Sequence, residues 1–204
     1  MDPDAGRGTR ESEDEPRIGM SEKVVRLHDA LRSADIPHAF GGAIAVDYYR
    51  IPRATIDIDL NVFVTPDQRA RVIQVLASEF ELADGEALSE EIARRDQGKT
   101  YWGNTRIDLF FAASEFNQSM AKRVREVEYQ GATIPILSAE DIVAIKTVFD
   151  RTQDWADIEA VCKLRGAELD LAYMTEWLGE IVGLDDPRVA RLVQLVESGA
   201  KLRD

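Results

Sequence analysis

The sequence predicts an α/β (α+β) protein, a mixed sheet with flanking helices that gives way to a C-terminal helical bundle. Three observations carry this expectation. Strand-like and helical stretches alternate up to about residue 137. Beyond residue 137 every apolar pattern is helical. Two strand-like runs, Thr55-Ile56-Asp57-Ile58-Asp59-Leu60 and Thr105-Arg106-Ile107-Asp108-Leu109-Phe110-Phe111, carry acids that a plain core strand does not need.

Residues 1–19 hold six acids, three arginines, three glycines and two prolines. That composition cannot offset ordering entropy, so 1–19 reads as a disordered tail. From Ser21 to Asp35, Val24, Val25, Leu27, Ala30 and Leu31 recur with a helical period. Ile36 to Phe40 reads as a short strand. Gly41-Gly42 breaks it and opens a helix through Ala43 to Tyr49, and Arg50 to Ala54 form a loop into the acidic strand. Thr65-Pro66 is a helix start, with threonine as cap and proline in the first turn, and that helix runs to about Phe80. Residues 84–98 are polar and give no clear period. Lys99 to Trp102 and Thr105 to Phe111 flank Gly103-Asn104 as a hairpin. A second strand pair, Glu126 to Tyr129 and Ala132 to Leu137, turns at Gln130-Gly131. Ser138-Ala139-Glu140-Asp141 resembles a capping box and opens a helix with Ile142, Val143, Ile145 and Lys146. Helical patterns follow at about 154–165, 171–182 and 187–198. The organisation expected is a tail (1–19), a core (20–137) and a helical region (138–204), with no internal repeat.

The net charge of −13 opposes broad, non-specific nucleic-acid binding, which needs a basic surface. It leaves room for a nucleic-acid end entering a local site. Basic clusters at Arg50/Arg53, Arg69/Arg71, Arg94/Arg95/Lys99 and Lys122/Arg123/Arg125 read as solvated patches. No apolar run is long enough for a membrane span, and the acidic N-terminus does not resemble a signal peptide. The single cysteine, Cys162, reads as a small buried apolar residue, and a cytoplasmic location is expected. His28 and His38 read as structural or exposed rather than ligating, because they lack metal-ligand spacing. Tyr101 and Trp102 read as hairpin packing, with base stacking as the alternative, and Trp155 and Trp177 as helix packing.

Asp57 and Asp59 are two residues apart, so a strand turns both carboxylates to one face. Such a pair repels itself unless a cation intervenes, and a magnesium ion carrying a nucleotide phosphate suits hard oxygen ligands. If the 105–111 strand lies alongside, Asp108 adds a third carboxylate. Three clustered acids can hold two divalent ions around an in-line displacement. The bland alternative is an exposed strand face with solvated acids, with Arg106 partly neutralising Asp108.

A Gly-Gly strand-to-helix turn, an Asp-x-Asp strand and a single Asp on a neighbouring strand resemble the DNA polymerase β-like nucleotidyltransferase superfamily. The chain is most similar to the AbiEii and Men-type toxin nucleotidyltransferases of bacterial toxin–antitoxin systems. The resemblance rests on Gly41-Gly42-Ala43-Ile44-Ala45, on Arg53 to Leu60, on Leu137 to Lys146 and on Asp150-Arg151-Thr152-Gln153-Asp154-Trp155-Ala156-Asp157-Ile158. It implies a nucleotidyltransferase-fold sheet, Mg²⁺, an NTP co-substrate and an acceptor hydroxyl. By its implication Gly41 and Gly42 admit the triphosphate, Asp57, Asp59 and Asp108 serve the metal, and Asp108 orients or deprotonates the hydroxyl. Lys146 would neutralise phosphate charge, Asp157 would fix Lys146 or the nucleotide, and Arg53 would touch a phosphate. Asp154 competes with Asp157 as the late acid. Thr55 stands where relatives carry a serine, and the resemblance suggests regulatory phosphorylation there; a phosphate beside Asp57 would compete for the metal. The implied acceptor is the tRNA 3′ end, which makes the chain a toxin with a cognate antitoxin. The alternatives are a small molecule such as an aminoglycoside or lincosamide antibiotic, a partner protein, or a non-enzymatic module that keeps only the fold.

Overall fold

The computed structural model describes residues 18–50 and 57–201. Arg53 and Thr55 lie outside the described residues, as does most of the tail expected at 1–19. The elements run α1 (Met20–Ser33), β1 (His38–Phe40), α2 (Gly42–Tyr49), β2 (Asp57–Val62), α3 (Arg69–Glu79), α4 (Gly85–Arg95), β3 (Gln97–Trp102) and β4 (Thr105–Phe111). They continue with α5 (Glu115–Arg123), β5 (Arg125–Tyr129), β6 (Ala132–Ile136), α6 (Ala139–Phe149), α7 (Thr152–Arg165), α8 (Leu171–Ile181) and α9 (Pro187–Lys201). The α/β expectation holds. A six-stranded sheet in the order β3-β4-β2-β1-β6-β5 has β2 parallel to β4 and β1 parallel to β6, its other pairs being antiparallel.

The two faces of the sheet differ because the strands alternate. On β4, Thr105, Ile107, Leu109 and Phe111 are buried, whereas Arg106, Asp108 and Phe110 are only partly so. On β3, Gly98, Thr100 and Trp102 turn inward and Gln97, Lys99 and Tyr101 outward. The inward face meets a helical layer in which α4 packs on β3, and α3 packs against both α1 and α4. Trp102 stacks on Phe80 with ring centroids 4.9 Å apart, while Tyr101 is 52% exposed, so only the tryptophan is hairpin packing. At the other end α2 packs on α6 and α7, which join α8 and α9 in a helical group. Trp155 and Cys162 are buried in that group, as expected.

Two helices had too little signal to be named from sequence. In α4, Leu88 and Ile92 are the only buried apolar side chains, four residues apart. Its ends are nonetheless defined: the Asp84 carboxylate accepts from Ala87 N at 2.8 Å, and Asp96 closes the helix in the left-handed region. In α5 the cap is a reciprocal box between Ser114 and Asn117, and the apolar face is Phe116 and Met120. Other local expectations shift. Pro66–Gln68 form a 3₁₀ turn before α3, and Thr65 makes no side-chain cap bond there. Ser138 does cap α6, accepting from Asp141 N at 3.1 Å and donating to the Asp141 carboxylate at 2.6 Å. Among the described residues no helix is long and apolar enough to cross a membrane.

His28 and His38 are structural, and they form a pair. His38 Nδ1 lies 2.8 Å from the Ile36 carbonyl and so carries a proton. Its Nε2 therefore accepts from His28 Nδ1, 3.0 Å away. Burial, aided by His28 and opposed by the hydrogen bond to the Ile36 carbonyl, holds His38 down at about 4; burial and then Arg32 lower His28, against Asp29 and Glu126. A folded-state pKa below the unfolded value means the unfolded chain binds more protons in between. The pair's contribution is thus complete above about pH 6.5 and fades as pH falls towards 4. Urea unfolding of wild type and His38→Gln should show wild type losing about 2 kcal/mol more than the variant across that window.

Candidate active site

The acids predicted on two separate runs meet on the outward face of the sheet. Asp57 pairs with Arg106, and Asp59 with Asp108, in the parallel register of β2 and β4. Asp59 also faces the Gly41-Gly42 turn. Gly41 N donates to the Asp59 carbonyl at 2.8 Å, which pins the start of α2 to β2. Gly42 has φ +48°, and a Cβ there would lie 1.7 Å from Asp59 Oδ2. Glycine at 42 is what allows the backbone to lie against the carboxylate. Burial, then the negative charge of Asp108, pushes the Asp59 carboxyl up to about 6. A guanidinium offsets part of the cluster's charge: Arg106 Nη2 lies 2.9 Å from Asp108 Oδ2 and 3.2 Å from Asp57 Oδ2.

A cleft of about 530 Å³ opens over this face. Gly42, Ala43, Asp57, Asp59, Asn61 and Arg106 line its sheet side, and Lys146, Arg151, Gln153 and Asp154 its helical side. Between them the walls are apolar, including Phe110, Phe116, Met120, Ile142 and Ile145. Lys146 Nζ donates to Asp154 at 2.9 Å and to Asp157 at 2.8 Å. Arg151 also holds Asp154, through Nε at 2.6 Å, and this guanidinium with Lys146 keeps the Asp154 carboxyl below the usual range despite burial. Asp157 is enclosed and meets Arg50 at 3.3 Å. Arg50, expected in a solvated patch, instead has a largely buried side chain bridging Asp47 and Asp157. Arg123 likewise departs from that expectation: it lies 4.0 Å over the Tyr173 ring and pairs with Glu140. Replacing Lys146 with methionine would leave two buried acids short of a counter-charge. The expected cost is about 2 kcal/mol, read by chemical denaturation.

No protein-family profile matches the sequence, and comparison with curated proteins finds no match. Solved structures do match. An antigenic nucleotidyltransferase-like protein from Paracoccidioides brasiliensis is similar over 89% of this chain and 91% of its own, at 16% identity and a TM-score of 0.52. The chain has a nucleotidyltransferase fold. Two further structures fall below a TM-score of 0.5 and add nothing to that assignment. The lincosamide antibiotic adenylyltransferase LnuA, with lincomycin bound, matches 69% of this chain and 94% of its own, at 14% identity and a TM-score of 0.48. ANT(2'')-Ia in complex with adenylyl-2''-tobramycin matches 90% and 98%, at 13% identity and a TM-score of 0.48.

On this nucleotidyltransferase fold the donor set suits a hard divalent cation in kind: three carboxylates, one of them raised by burial and then by its neighbour's charge. As they stand, no group of three or more His, Cys, Asp and Glu side chains among the described residues is arranged to hold a metal ion. Arg106 bridges Asp57 and Asp108 instead. Asp108 does not line the cleft, whereas Arg106 does. The fold thus brings together Gly42, Asp57, Asp59 and Lys146 around one cleft, with Gly41 and Asp108 adjoining Asp59. Asp157 and Asp154 both hold Lys146, and only Asp154 reaches the cleft wall. Asn61 and Arg151 were not singled out from sequence. Asn61 could have been, because Asp57-x-Asp59-x-Asn61 continues the same strand face. The apolar wall from α5 had no such signal.

Proposed function

We propose that the protein is a magnesium-dependent nucleotidyltransferase that moves a nucleoside monophosphate from an NTP to an acceptor hydroxyl. The observation that carries this reading is the placement of Asp57, Asp59 and Asp108 on adjacent parallel strands against a glycine turn, across one cleft from Lys146. Gly41 and Gly42 let the start of α2 lie close to the triphosphate. Asp57 and Asp59 would ligate the metal, with Asp108 as the third acid. When bound, magnesium neutralises phosphate charge and makes the acceptor hydroxyl easier to deprotonate. Asp108 orients that hydroxyl and takes its proton as oxygen attacks the α-phosphorus. The bond to the β-phosphate breaks, and pyrophosphate carries away the charge that Lys146 had offset. Asp154 and Asp157 hold the Lys146 ammonium, and the apolar wall at Phe110, Phe116 and Ile145 gives a base or other flat group a dry surface.

The acceptor we propose is the tRNA 3′ end. Lys99, Arg106 and the exposed Tyr101 share the sheet face beside the acids, and Arg94 and Arg95 end the helix that leads into it. Cations beside an exposed ring suit a single-stranded end. Capping that end would stop translation, and the chain would then be a toxin restrained by an antitoxin. Reversing charge at Arg94 and Arg95 should weaken RNA acceptance and flatten its salt dependence. Reversal at Arg50 would disturb a buried ion pair instead. The apolar cleft favours a second reading, a small hydroxylated acceptor such as an aminoglycoside or lincosamide; a partner protein is a third acceptor class. The reading is tested by incubating the protein and its Asp57→Ala variant with magnesium, each labelled NTP and total tRNA or a hydroxylated antibiotic. Label on RNA that the variant fails to add supports the tRNA reading. Label on the antibiotic alone moves the assignment to the small molecule. NTP binding with no transfer to any acceptor class points to a binding module.

A further inference from the structure

We propose that Arg106 is a resident counter-cation of the acid cluster and is exchanged for the metal ion when metal and nucleotide bind together. The inference rests on reading the cluster as a metal–nucleotide site. Arg106 spans the two carboxylates that flank Asp59. Its Nη2 lies 3.2 Å from Asp57 Oδ2 and 2.9 Å from Asp108 Oδ2, and its Nε also donates to Asp108 Oδ2 at 2.9 Å. A cation shared by Asp57 and Asp108 would draw on oxygens of the same two carboxylates. Magnesium demands them at close to 2.1 Å in near-octahedral geometry. A guanidinium held by those oxygens leaves no room for that arrangement, and it repels a divalent charge at short range.

The position of Arg106 makes it removable. It lies in register with Asp57 on β2 and Tyr101 on β3, on the outward face where the cleft opens. Its side chain is 44% exposed, whereas that of Asp108 is 21% exposed. Arg106 lines the cleft and Asp108 does not, so the guanidinium stands between the cleft and the third acid. In the protein without ligand the guanidinium thereby offsets part of the charge of three carboxylates on one sheet face. A bare metal ion must displace a paired arginine unaided. A metal ion that arrives on a triphosphate brings oxygen ligands of its own and negative charge for the released guanidinium. Metal binding is therefore linked to nucleotide binding through Arg106.

The test is Mn²⁺ binding without nucleotide, followed by electron paramagnetic resonance, for wild type, Arg106→Met and Arg106→Lys. Arg106→Met should bind Mn²⁺ at least about tenfold more tightly than wild type, because the competing charge is gone. Arg106→Lys should fall between them, since an ammonium cannot bridge both carboxylates as a fork. Melting of Arg106→Met in chelator should come earlier than wild type and be restored more fully by Mn²⁺. If Arg106→Met does not fold, the lysine variant carries the comparison alone, with tighter binding expected. Equal or weaker Mn²⁺ binding in a folded variant overturns the proposal. If that happens while Mn–ATP still binds wild type, the metal–nucleotide reading survives and only the role of Arg106 falls. If Mn–ATP binds none of the proteins, both fall.

Discussion

Replacing Asp59 with asparagine should abolish transfer and, in chelator, make the protein more stable. Asp59 is enclosed by β2, the Gly41-Gly42 turn and the neighbouring acid, and burial followed by Asp108 pushes its carboxyl from 3.8 up to about 6. A carboxyl with a raised folded-state pKa binds more protons folded than unfolded between those two values. Stability therefore falls as pH rises through that interval, and the penalty is complete above about pH 6. Asparagine is close in shape and carries no charge. Near pH 7.5 the variant should gain about 2 kcal/mol over wild type in urea unfolding, and the gain should shrink as pH falls from 6 towards 4. Transfer should drop by roughly 10³-fold or more, because a charge that serves the transition state is gone. A group that costs stability and serves chemistry is the pattern expected of an active site. A variant that lost stability and kept its turnover would mark Asp59 as structural.

Gly42→Ala should remove NTP binding by a different route. The residue sits at φ +48°, and the new Cβ would be 1.7 Å from Asp59 Oδ2 and 2.5 Å from its carboxyl carbon. Neither a rotamer change nor a small shift of β2 resolves both the clash and the backbone angle. The turn must move away from the carboxylate, or Asp59 must swing out of the cleft. Either response dismantles the cluster, so NTP affinity should fall at least about a hundredfold, with about 2 kcal/mol lost in stability. Gly41→Ala is the informative contrast. Its nearest contact is the Asn61 amide nitrogen at 2.8 Å, the end of a side chain that can turn aside, and its φ of −109° lies outside the left-handed region. Calorimetric titration with a non-hydrolysable NTP should rank wild type above Gly41→Ala, with Gly42→Ala last. Equal affinity in all three would mean that the turn does not approach the nucleotide.

Much of this arrangement could be read from the sequence because it is local. Acids at two-residue spacing face one way on any strand, and a Gly-Gly pair between a strand and a helix marks a close approach whatever lies opposite. Ser138 announced the start of α6 in the same manner. What could not be read is what depends on register and partners. Asp108 was expected to join Asp57 and Asp59 only if its strand paired alongside, and nothing local fixes a parallel pairing between segments so far apart in sequence. Arg50 and Arg123 read as solvated cations, because Asp157, which with nearby Asp47 encloses Arg50, and Glu140, which holds Arg123, lie on distant helices. The helices α4 and α5 were missed because each offers only two buried apolar side chains. The part of the cleft's apolar wall that α5 supplies, Phe116 and Met120, was lost with it.

The most direct test of the active-site assignment is to follow ATP labelled at the α-phosphate against ATP labelled at the γ-phosphate, then each other NTP in turn, with magnesium, total tRNA and the purified protein. Nucleotidyl transfer predicts that the α-label becomes covalently attached to an acceptor while the γ-label leaves as pyrophosphate, and that Asp57→Ala does neither. Attachment of the γ-label instead, or transfer that survives Asp57→Ala, would contradict the assignment of the three carboxylates as a nucleotidyltransferase site.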